Sequence, residues 1–336
     1  MSRDIAIDLG TANTLIYETG RGIILNEPTV IAVNRENGQV LAMGEEAFRM
    51  IGRTPGYIVA ERPLRRGAIT DFDITERYIR LLLDKAGVRR RIPRARVLIC
   101  VPSAITEVER RAVQEAAAAA GARTADLIEE PVAAAIGAQL PIHEPTGNMI
   151  VDIGGGTSEV AVMAMGGVVV SKAVRIGGFD VDDMISKHIR KEYGIVIGER
   201  TAEQIKIAIG SAFPLHEEEK AEIRGRDLAT GLPKTVQVTS EEIREAISDP
   251  VTQIVQAAVG ALAETPPELS QDILNRGIAL TGGGGMLRGL SMRIAEECDV
   301  GVHLTDRPLE CVVLGAGKCL EALESLRDLF ITSSTR

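Results

Sequence analysis

The sequence predicts an α/β protein built as two related lobes, and three observations carry that prediction. Apolar strand-like runs alternate with helical periods along most of the chain. A unit of strand, acid, glycine turn and strand occurs twice, at Asp8 and again at Asp152. The two copies lie about half a chain apart, much too far for a solenoid repeat, so they point to two lobes rather than an array.

The elements follow in order. Ile5 to Leu9 and Thr14 to Glu18 read as strands across a turn, followed by strands at Gly22 to Leu25 and Val30 to Val33. Asn34 to Pro63 is rich in Gly, Arg and Glu; it reads as an insertion without a deep core and with one short helix, Gly44 to Ile51. Thr75 to Ala86 carries Tyr78, Leu81, Leu82 and Ala86 at helical spacing. Val97 to Val101 is a buried strand. Thr106-x-x-Glu109 is a capping-box signature, and its helix runs through five alanines to a stop at Gly121. Another helix starts near Pro131. From Met149 the pattern begins again: strands at Ile150 to Ile153, Ser158 to Met163 and Val168 to Ala173, then a helix from Asp180 to Tyr193. Asp182 to Ile247 reads as an insertion of largely charged helix.

Composition sets bounds on function. The chain has 336 residues, 45% hydrophobic and 25% charged, enough for two filled cores. With no Trp and 3% aromatics, those cores are aliphatic, and base-stacking platforms are not expected. A net charge of -9 removes the diffuse attraction on which nucleic-acid binders rely, so nucleic acid is not expected as a partner. Cys100, Cys298, Cys311 and Cys319 form no C-x-x-C pair and read as reduced thiols, and the four histidines lack ligand spacing. Strand-like sequence starts at Asp4, leaving no room for a signal peptide. The longest apolar stretch, Val160 to Val170, falls short of the roughly 18 residues of a membrane span. The expectation is a cytoplasmic protein that can touch the inner face of a membrane.

The chemistry lies in the paired turns, Asp8-Leu9-Gly10-Thr11-Ala12-Asn13-Thr14 and Asp152-Ile153-Gly154-Gly155-Gly156-Thr157-Ser158. Glycine lets the backbone turn sharply and approach a ligand, and successive N–H groups in such turns make an anion site suited to phosphate. The acids repel phosphate, so their role is to hold Mg²⁺ through water while the ion bridges phosphate oxygens. Either turn alone is a common hairpin connection. Together they describe a nucleotide clamp. No G-x-x-x-x-G-K-[ST] is present, and Gly282-Gly283-Gly284-Gly285 does not satisfy G-x-G-x-x-G, so P-loop and dinucleotide sites are disfavoured. That glycine run follows the strand Ile278-Ala279-Leu280 and precedes a helix, a setting that suits a flat ligand such as adenine.

With Asp8 to Thr14, Asp152 to Ser158 and Thr281 to Gly285 in this order, the chain resembles the actin superfamily, which includes chaperone ATPases and sugar kinases. Within it, the chain is most similar to the MreB-type bacterial actins. The specific runs are Ile7 to Leu15, Leu127-Ile128-Glu129-Glu130-Pro131 to Gly137, Gly198 to Glu203, Asp227 to Pro233 and Thr265 to Leu269. The likeness covers essentially the whole chain. It implies an actin-like (ribonuclease H-like) two-lobed ATPase fold with the nucleotide in the interlobe cleft. The first lobe is expected at residues 1–145 with a small insertion at about 34–65, the second at 146–316 with an insertion at about 182–247. A C-terminal helix in 317–336 would return to the first lobe.

The resemblance also implies site roles, with ATP or ADP and Mg²⁺ as cofactors. Thr11, Ala12 and Asn13, with Gly154, Gly155, Gly156 and Thr157 from the other lobe, would contact the terminal phosphates. Asp8 and Asp152 would orient Mg²⁺. Glu203 and Lys206, one helical turn apart, would flank ribose and adenine, and Gly282, Gly283, Gly284 and Gly285 would back the adenine. For hydrolysis it points to Glu130, with Thr157 positioning water. A carboxylate just ahead of a helix can orient a water for phosphoryl transfer, although acids beside Pro131 are equally explained by the helix dipole.

Proteins of this type assemble head to tail into protofilaments that pair laterally, here through the Thr106–Gly121 helix, and they work with cell-wall synthesis proteins in rod-shaped cells. Many reach the membrane through an N-terminal amphipathic helix or an apolar loop tip. Here only Met1-Ser2-Arg3 precede the first strand, and the corresponding loop, Arg89 to Arg96, holds five arginines. At an anionic bilayer each contributes ~1 kcal/mol; a solvated basic loop is the alternative reading. Two other functions share the fold. A small-molecule kinase needs a dedicated substrate cleft, and a chaperone-type ATPase needs a substrate domain after the second lobe.

Overall fold

The structure, a computed structural model, describes residues 4–87, 95–322, 326 and 329–331. In chain order the first part holds β1 (Ile5–Leu9), β2 (Asn13–Glu18), β3 (Gly22–Pro28), β4 (Ile31–Asn34), β5 (Val40–Met43), α1 (Glu45–Met50), β6 (Ile58–Glu61), β7 (Leu64–Arg65), β8 (Ala68–Ile69), α2 (Phe72–Lys85), β9 (Arg96–Val101), α3 (Glu107–Ala119), β10 (Thr124–Glu129) and α4 (Glu130–Gly137). The remainder holds β11 (Asn148–Ile153), β12 (Ser158–Ala164), β13 (Gly167–Val174), α5 (Gly178–Tyr193), β14 (Ile195–Val196), α6 (Glu199–Ile209), β15 (Lys220–Asp227), β16 (Pro233–Thr239), α7 (Ser240–Ala246), α8 (Ser248–Glu264), α9 (Pro267–Arg276), β17 (Ile278–Thr281), α10 (Leu290–Cys298), β18 (Val302–Leu304) and α11 (Cys311–Glu321).

Two five-stranded sheets dominate, in the orders β10-β9-β1-β2-β3 and β18-β17-β11-β12-β13. They match strand for strand. In each, the opening strand pairs antiparallel with the next, which pairs antiparallel with a third. On its other side the opening strand pairs parallel with a strand far along the chain, which carries one more parallel neighbour. Parallel strands need long crossovers, usually helical, and lie buried on both faces, which explains why Ile5 to Leu9 and Met149 to Ile153 read as near-continuous apolar runs.

Strand alternation then sorts the side chains. Ile5, Ile7 and Leu9 face one aliphatic core, shared with α2 and α3, while Met149, Val151 and Ile153 face a second, shared with α5, α6 and α8. The intervening Ala6 and Ile150 point the other way, into a third core between the sheets, filled by α4 and α11. Because side chains alternate with a period of two, Asp8 falls on the face of Ala6 and Asp152 on the face of Ile150. Both acids therefore sit on the facing surfaces of the two sheets.

Helices α4 and α11 cross with their backbones nearly touching. A Cβ on Gly315 would lie 1.7 Å from the Ala133 carbonyl oxygen, and one on Gly137 would lie 1.9 Å from that of Cys311. The helix expected from residue 317 thus starts earlier, at Cys311, and packs against β1, β2 and β9 as well as α4.

The structure departs from the sequence reading in several places. Ile31–Asn34 is a strand, but of a small sheet β5-β4-β6 with its own core of Val30, Ala32 and Ala47. The segment 34–63 therefore holds two strands beyond the single helix expected. The stretch 182–247 is not largely helical, because β14, β15 and β16 form a three-stranded sheet there. The capping box forms as read, with the Glu109 amide donating to Thr106 Oγ1 (3.2 Å) and the Thr106 amide to Glu109 Oε2 (2.9 Å). Of the alanine run, Ala116, Ala117 and Ala120 fill the helix's own core, and only Ala118 and Ala119 face solvent. No helix among the described residues is long and apolar enough to cross a membrane.

Candidate functional site

Each acidic turn is built into a rigid shelf. In the first, Thr29 donates its amide to the Ala12 carbonyl (2.8 Å) and its hydroxyl to that of Gly10 (2.7 Å). Thr14, fully buried, shares its hydroxyl with Thr29 (2.9 Å) and receives the Tyr78 hydroxyl (3.2 Å). In the second turn the Gly154 amide donates to the Thr157 carbonyl (2.9 Å). The Gly178 and Phe179 amides then donate to the carbonyls of Gly154 and Gly155 (3.0 and 2.9 Å), which draws the N-terminus of α5 against the turn. A helix N-terminus carries partial positive charge and favours anions.

Between the shelves lies a cleft of about 470 Å³. Its lining brings together Asp8, Thr11, Ala12, Asn13, Glu130, Asp152, Gly154, Gly155, Thr157, Glu203, Lys206, Gly282, Gly283 and Gly284. Two candidates fall outside it. Gly156 turns into the seam between the halves, where a Cβ would meet the Arg66 backbone and Thr11 Oγ1, both at 2.9 Å. Gly285 is buried behind the glycine run against Leu280 and Leu304. Gly282, at φ +80°, presses its α-carbon so close to the Ile153 carbonyl that a Cβ would lie 2.3 Å away, and only glycine fits.

The sequence reading missed other lining residues. Gly177, Gly178 and Phe179, the start of α5, contribute from a helix read as opening at Asp180; the glycine pair hid its true beginning. Ile207, Met286, Leu287, Leu309 and Val251 add apolar surface to the cleft lining. Lys206 is pinned there, its ammonium 3.0 Å from Asp182 Oδ2 and 3.1 Å from the Gly178 carbonyl. Asp182 is itself almost fully buried, which pushes its carboxyl up to about 6 against the pull of Lys206.

The electrostatics of the floor are one-sided. Asp8 is raised to about 7, first by burial and then by the charge of Asp152. Burial raises Asp152 to about 6. Glu130, the first residue of α4, is pushed well above the carboxylate range by burial and by Glu159, Asp8 and Asp152. Glu159, opposite Asp152 in the β11–β12 ladder, reaches about 8, chiefly by burial, with hydrogen bonds from Ser103 pulling down. The charged groups that act on these four are all carboxylates. A cluster of one sign, with Asp152 and Glu159 buried and Asp8 and Glu130 facing the cleft, suits a hard divalent cation. Among the described residues no three His, Cys, Asp or Glu side chains are grouped to ligate an ion directly. That arrangement fits an ion held through water and ligand oxygens.

Above the floor, the first part of the chain reaches across to the second. Arg66 pairs with Asp180 (2.6 Å), while Arg62 pairs with Glu199 and lies 4.2 Å over the Phe179 ring. Arg200 in turn stacks 5.1 Å over Phe48. The basic loop proposed for membrane contact lies outside the described residues apart from Ala95 and Arg96. The thiols are free, with Cys100, Cys311 and Cys319 buried.

The chain matches the family described as MreB/Mbl protein over residues 2–328. It is 51% identical over 325 residues to the cell shape-determining protein Mbl of Bacillus cereus, covering 97% of this chain and 98% of that protein. The crystal structure of MreB5 of Spiroplasma citri bound to ADP superposes with a TM-score of 0.92 at 35% identity, covering 98% and 99% of the two chains. The AMPPNP-bound form of that protein superposes at 0.90 and 36%, covering 98% of each.

Proposed function

The chain belongs to the MreB/Mbl family, and from that membership we propose that it is an actin-like ATPase whose nucleotide state governs assembly into cytoplasmic filaments that set cell shape. The observation that carries the reading is the pair of acidic shelves facing one another across a single cleft, with Glu130 between them. ATP or ADP lies in the cleft. Thr11, Ala12 and Asn13 face its terminal phosphates from one side and Gly154, Gly155 and Thr157 from the other. The start of α5 adds its dipole. Gly282, Gly283 and Gly284 back the adenine, and Glu203 and Lys206 flank the sugar and base.

Asp8 and Asp152 would hold Mg²⁺, which would supply positive charge against both the carboxylates and the phosphate oxygens. The same counter-charge draws the carboxyl groups back toward ionisation, since a bound cation inverts the local pKa logic. Glu130 then orients a water and accepts its proton, and Thr157 helps to fix that water. Both act by position, which is most of what phosphoryl transfer asks of a protein.

In this reading residues 1–145 and 146–316 act as lobes that swing about the α4–α11 pair. Copies stack head to tail, and filaments pair through the α3 face. Cell-wall synthesis proteins and the inner face of the membrane, reached through the Arg89–Arg96 loop, are the partners. Sedimentation with Mg-ATP, joined to electron microscopy, tests the proposal. Nucleotide-dependent filaments are expected. Persistent monomers that phosphorylate a small molecule would overturn it.

A further inference from the structure

Glu159 is the one member of the acidic floor to which no role has been given. It is 1% exposed, and its carboxylate accepts three hydrogen bonds from a single residue of the other half. The Ser103 amide donates to both oxygens (3.0 and 3.1 Å), and the Ser103 hydroxyl donates to Oε2 (3.2 Å). Ser103 lies two residues beyond the end of β9, the strand that carries Cys100 beside Asp8, whereas Glu159 lies opposite Asp152 on β12. The contact therefore ties the sheet of the first shelf to the sheet of the second, at the level of Asp152 and near Glu130.

The fold does not require an acid here. In the matching unit of the first half, the residue opposite Asp8 is Leu15. Burying a carboxylate among other carboxylates opposes folding unless its geometry serves something else. Arg62 to Glu199, Arg66 to Asp180 and Arg175 to Glu109 also cross between the halves, but each has an exposed member and so holds weakly. The Ser103–Glu159 contact lies buried, where the low local dielectric strengthens hydrogen bonds and fixes their geometry.

We propose that Glu159 is the positioning residue that sets the separation of the two shelves when the lobes close, and so the reach of Glu130 to the reacting phosphate. This rests on the hydrolytic reading above. Without the bridge the nucleotide still finds both shelves, but Glu130 and Thr157, carried by different halves, lose their common register. A loss of that kind falls on turnover and spares affinity.

The test compares wild type, Glu159→Ala, Glu159→Gln and Ser103→Ala in Mg-ATP. Affinity is read with a fluorescent ATP analogue, turnover by single-turnover phosphate release, and the bridge by hydrogen exchange at the Ser103 amide. Glu159→Ala should keep its dissociation constant within about threefold of wild type, slow phosphate release at least tenfold and speed exchange at Ser103 at least tenfold. Glu159→Gln, whose amide oxygen still accepts the Ser103 amide, should restore most of both. Ser103→Ala, which leaves the backbone donor in place, should show a smaller change in the same direction, and it keeps the test open if Glu159→Ala does not fold. Wild-type turnover in Glu159→Ala would overturn the proposal, as would a Gln variant as slow as Ala. A wild-type protein that binds Mg-ATP yet never releases phosphate would sink the hydrolytic reading, whereas unchanged exchange at Ser103 in Glu159→Ala would sink the bridge alone.

Discussion

Replacing Asp8 by Asn should make the nucleotide-free protein more stable while weakening its hold on Mg-ATP. In the folded chain the Asp8 carboxyl is raised from 3.8 to about 7, by burial and by Asp152. A carboxyl that keeps its proton longer when folded than when unfolded contributes fully to stability below the unfolded value, and that contribution is lost as pH climbs through the folded one. The window here runs from about pH 4 to pH 7. At 1.36 kcal/mol per unit, the loss is on the order of 4 kcal/mol once pH passes about 8, and ~1.4 kcal/mol of it falls between pH 6 and pH 8.5. Asn has nothing to ionise and escapes both. Urea denaturation in chelator without nucleotide, at pH 6 and pH 8.5, measures the difference directly. The variant should exceed wild type at both values, by about 1.4 kcal/mol more at pH 8.5. With saturating Mg-ATP the order should reverse, because only wild type gains the full linkage from its ligand. A variant no more stable than wild type at pH 8.5, or an advantage unchanged by pH, would refute the claim that uncompensated charge strains the floor.

Glu130→Ala should retain nucleotide within a few-fold of wild type while phosphate release slows roughly 10²-fold; unchanged hydrolysis would place the chemistry elsewhere. Gly315→Ala puts a methyl 1.7 Å from the Ala133 carbonyl, so chemical denaturation should show a loss at or above the upper end of the roughly 1–3 kcal/mol typical of overpacking. Wild-type stability there would mean the α4–α11 pair spreads freely. Arg62→Ala removes a partly exposed ion pair and a cation–π contact on Phe179, together worth roughly 1–2 kcal/mol. Nucleotide dissociation, followed by chase with unlabelled ATP, should speed up about five- to thirtyfold, and an unchanged rate would show that the strap does not hold the cleft shut.

How much of this was legible in the sequence depends on where each signal came from. The shelves were readable because a buried parallel strand leaves a continuous apolar run, and Asp8 and Asp152 each interrupt one just before glycine. The capping box at Thr106 was readable for a similar local reason. The start of α2 was not: Asp71 caps it by accepting the Ile74 amide, four residues before Thr75, where the apolar period of the sequence opens. Strands β5 and β6 escaped because they are four-residue runs that are only partly buried, and β15 and β16 because they are largely exposed and mix polar with apolar residues. Glu159 was invisible for a different reason. Its partner, Ser103, is 56 residues away, and only the fold brings the two together.

The matched topology of the two sheets explains why one chain needs both acids. Each half presents a glycine turn and a carboxylate at the end of its opening strand, and each such unit alone is a half-site that meets a nucleotide from one side. Facing one another, the units place Asp152 close enough for its charge to raise the Asp8 carboxyl. Without a counter-charge these acids repel, and the α4–α11 crossing at Gly137 and Gly315, the Ser103–Glu159 contact and the Arg62 and Arg66 ion pairs hold the halves together against that repulsion. A ligand that brings a divalent cation changes the sign of that interaction, from repulsion between acids to shared attraction for one ion. If Mg-nucleotide binds as proposed, lobe closure is coupled to occupancy by electrostatics set in the sequence at two positions, with a coupling energy on the order of a few kcal/mol. A change of that size is enough to move a two-state hinge from mostly open to mostly closed, and a contact between neighbouring subunits that spans both halves would sense it.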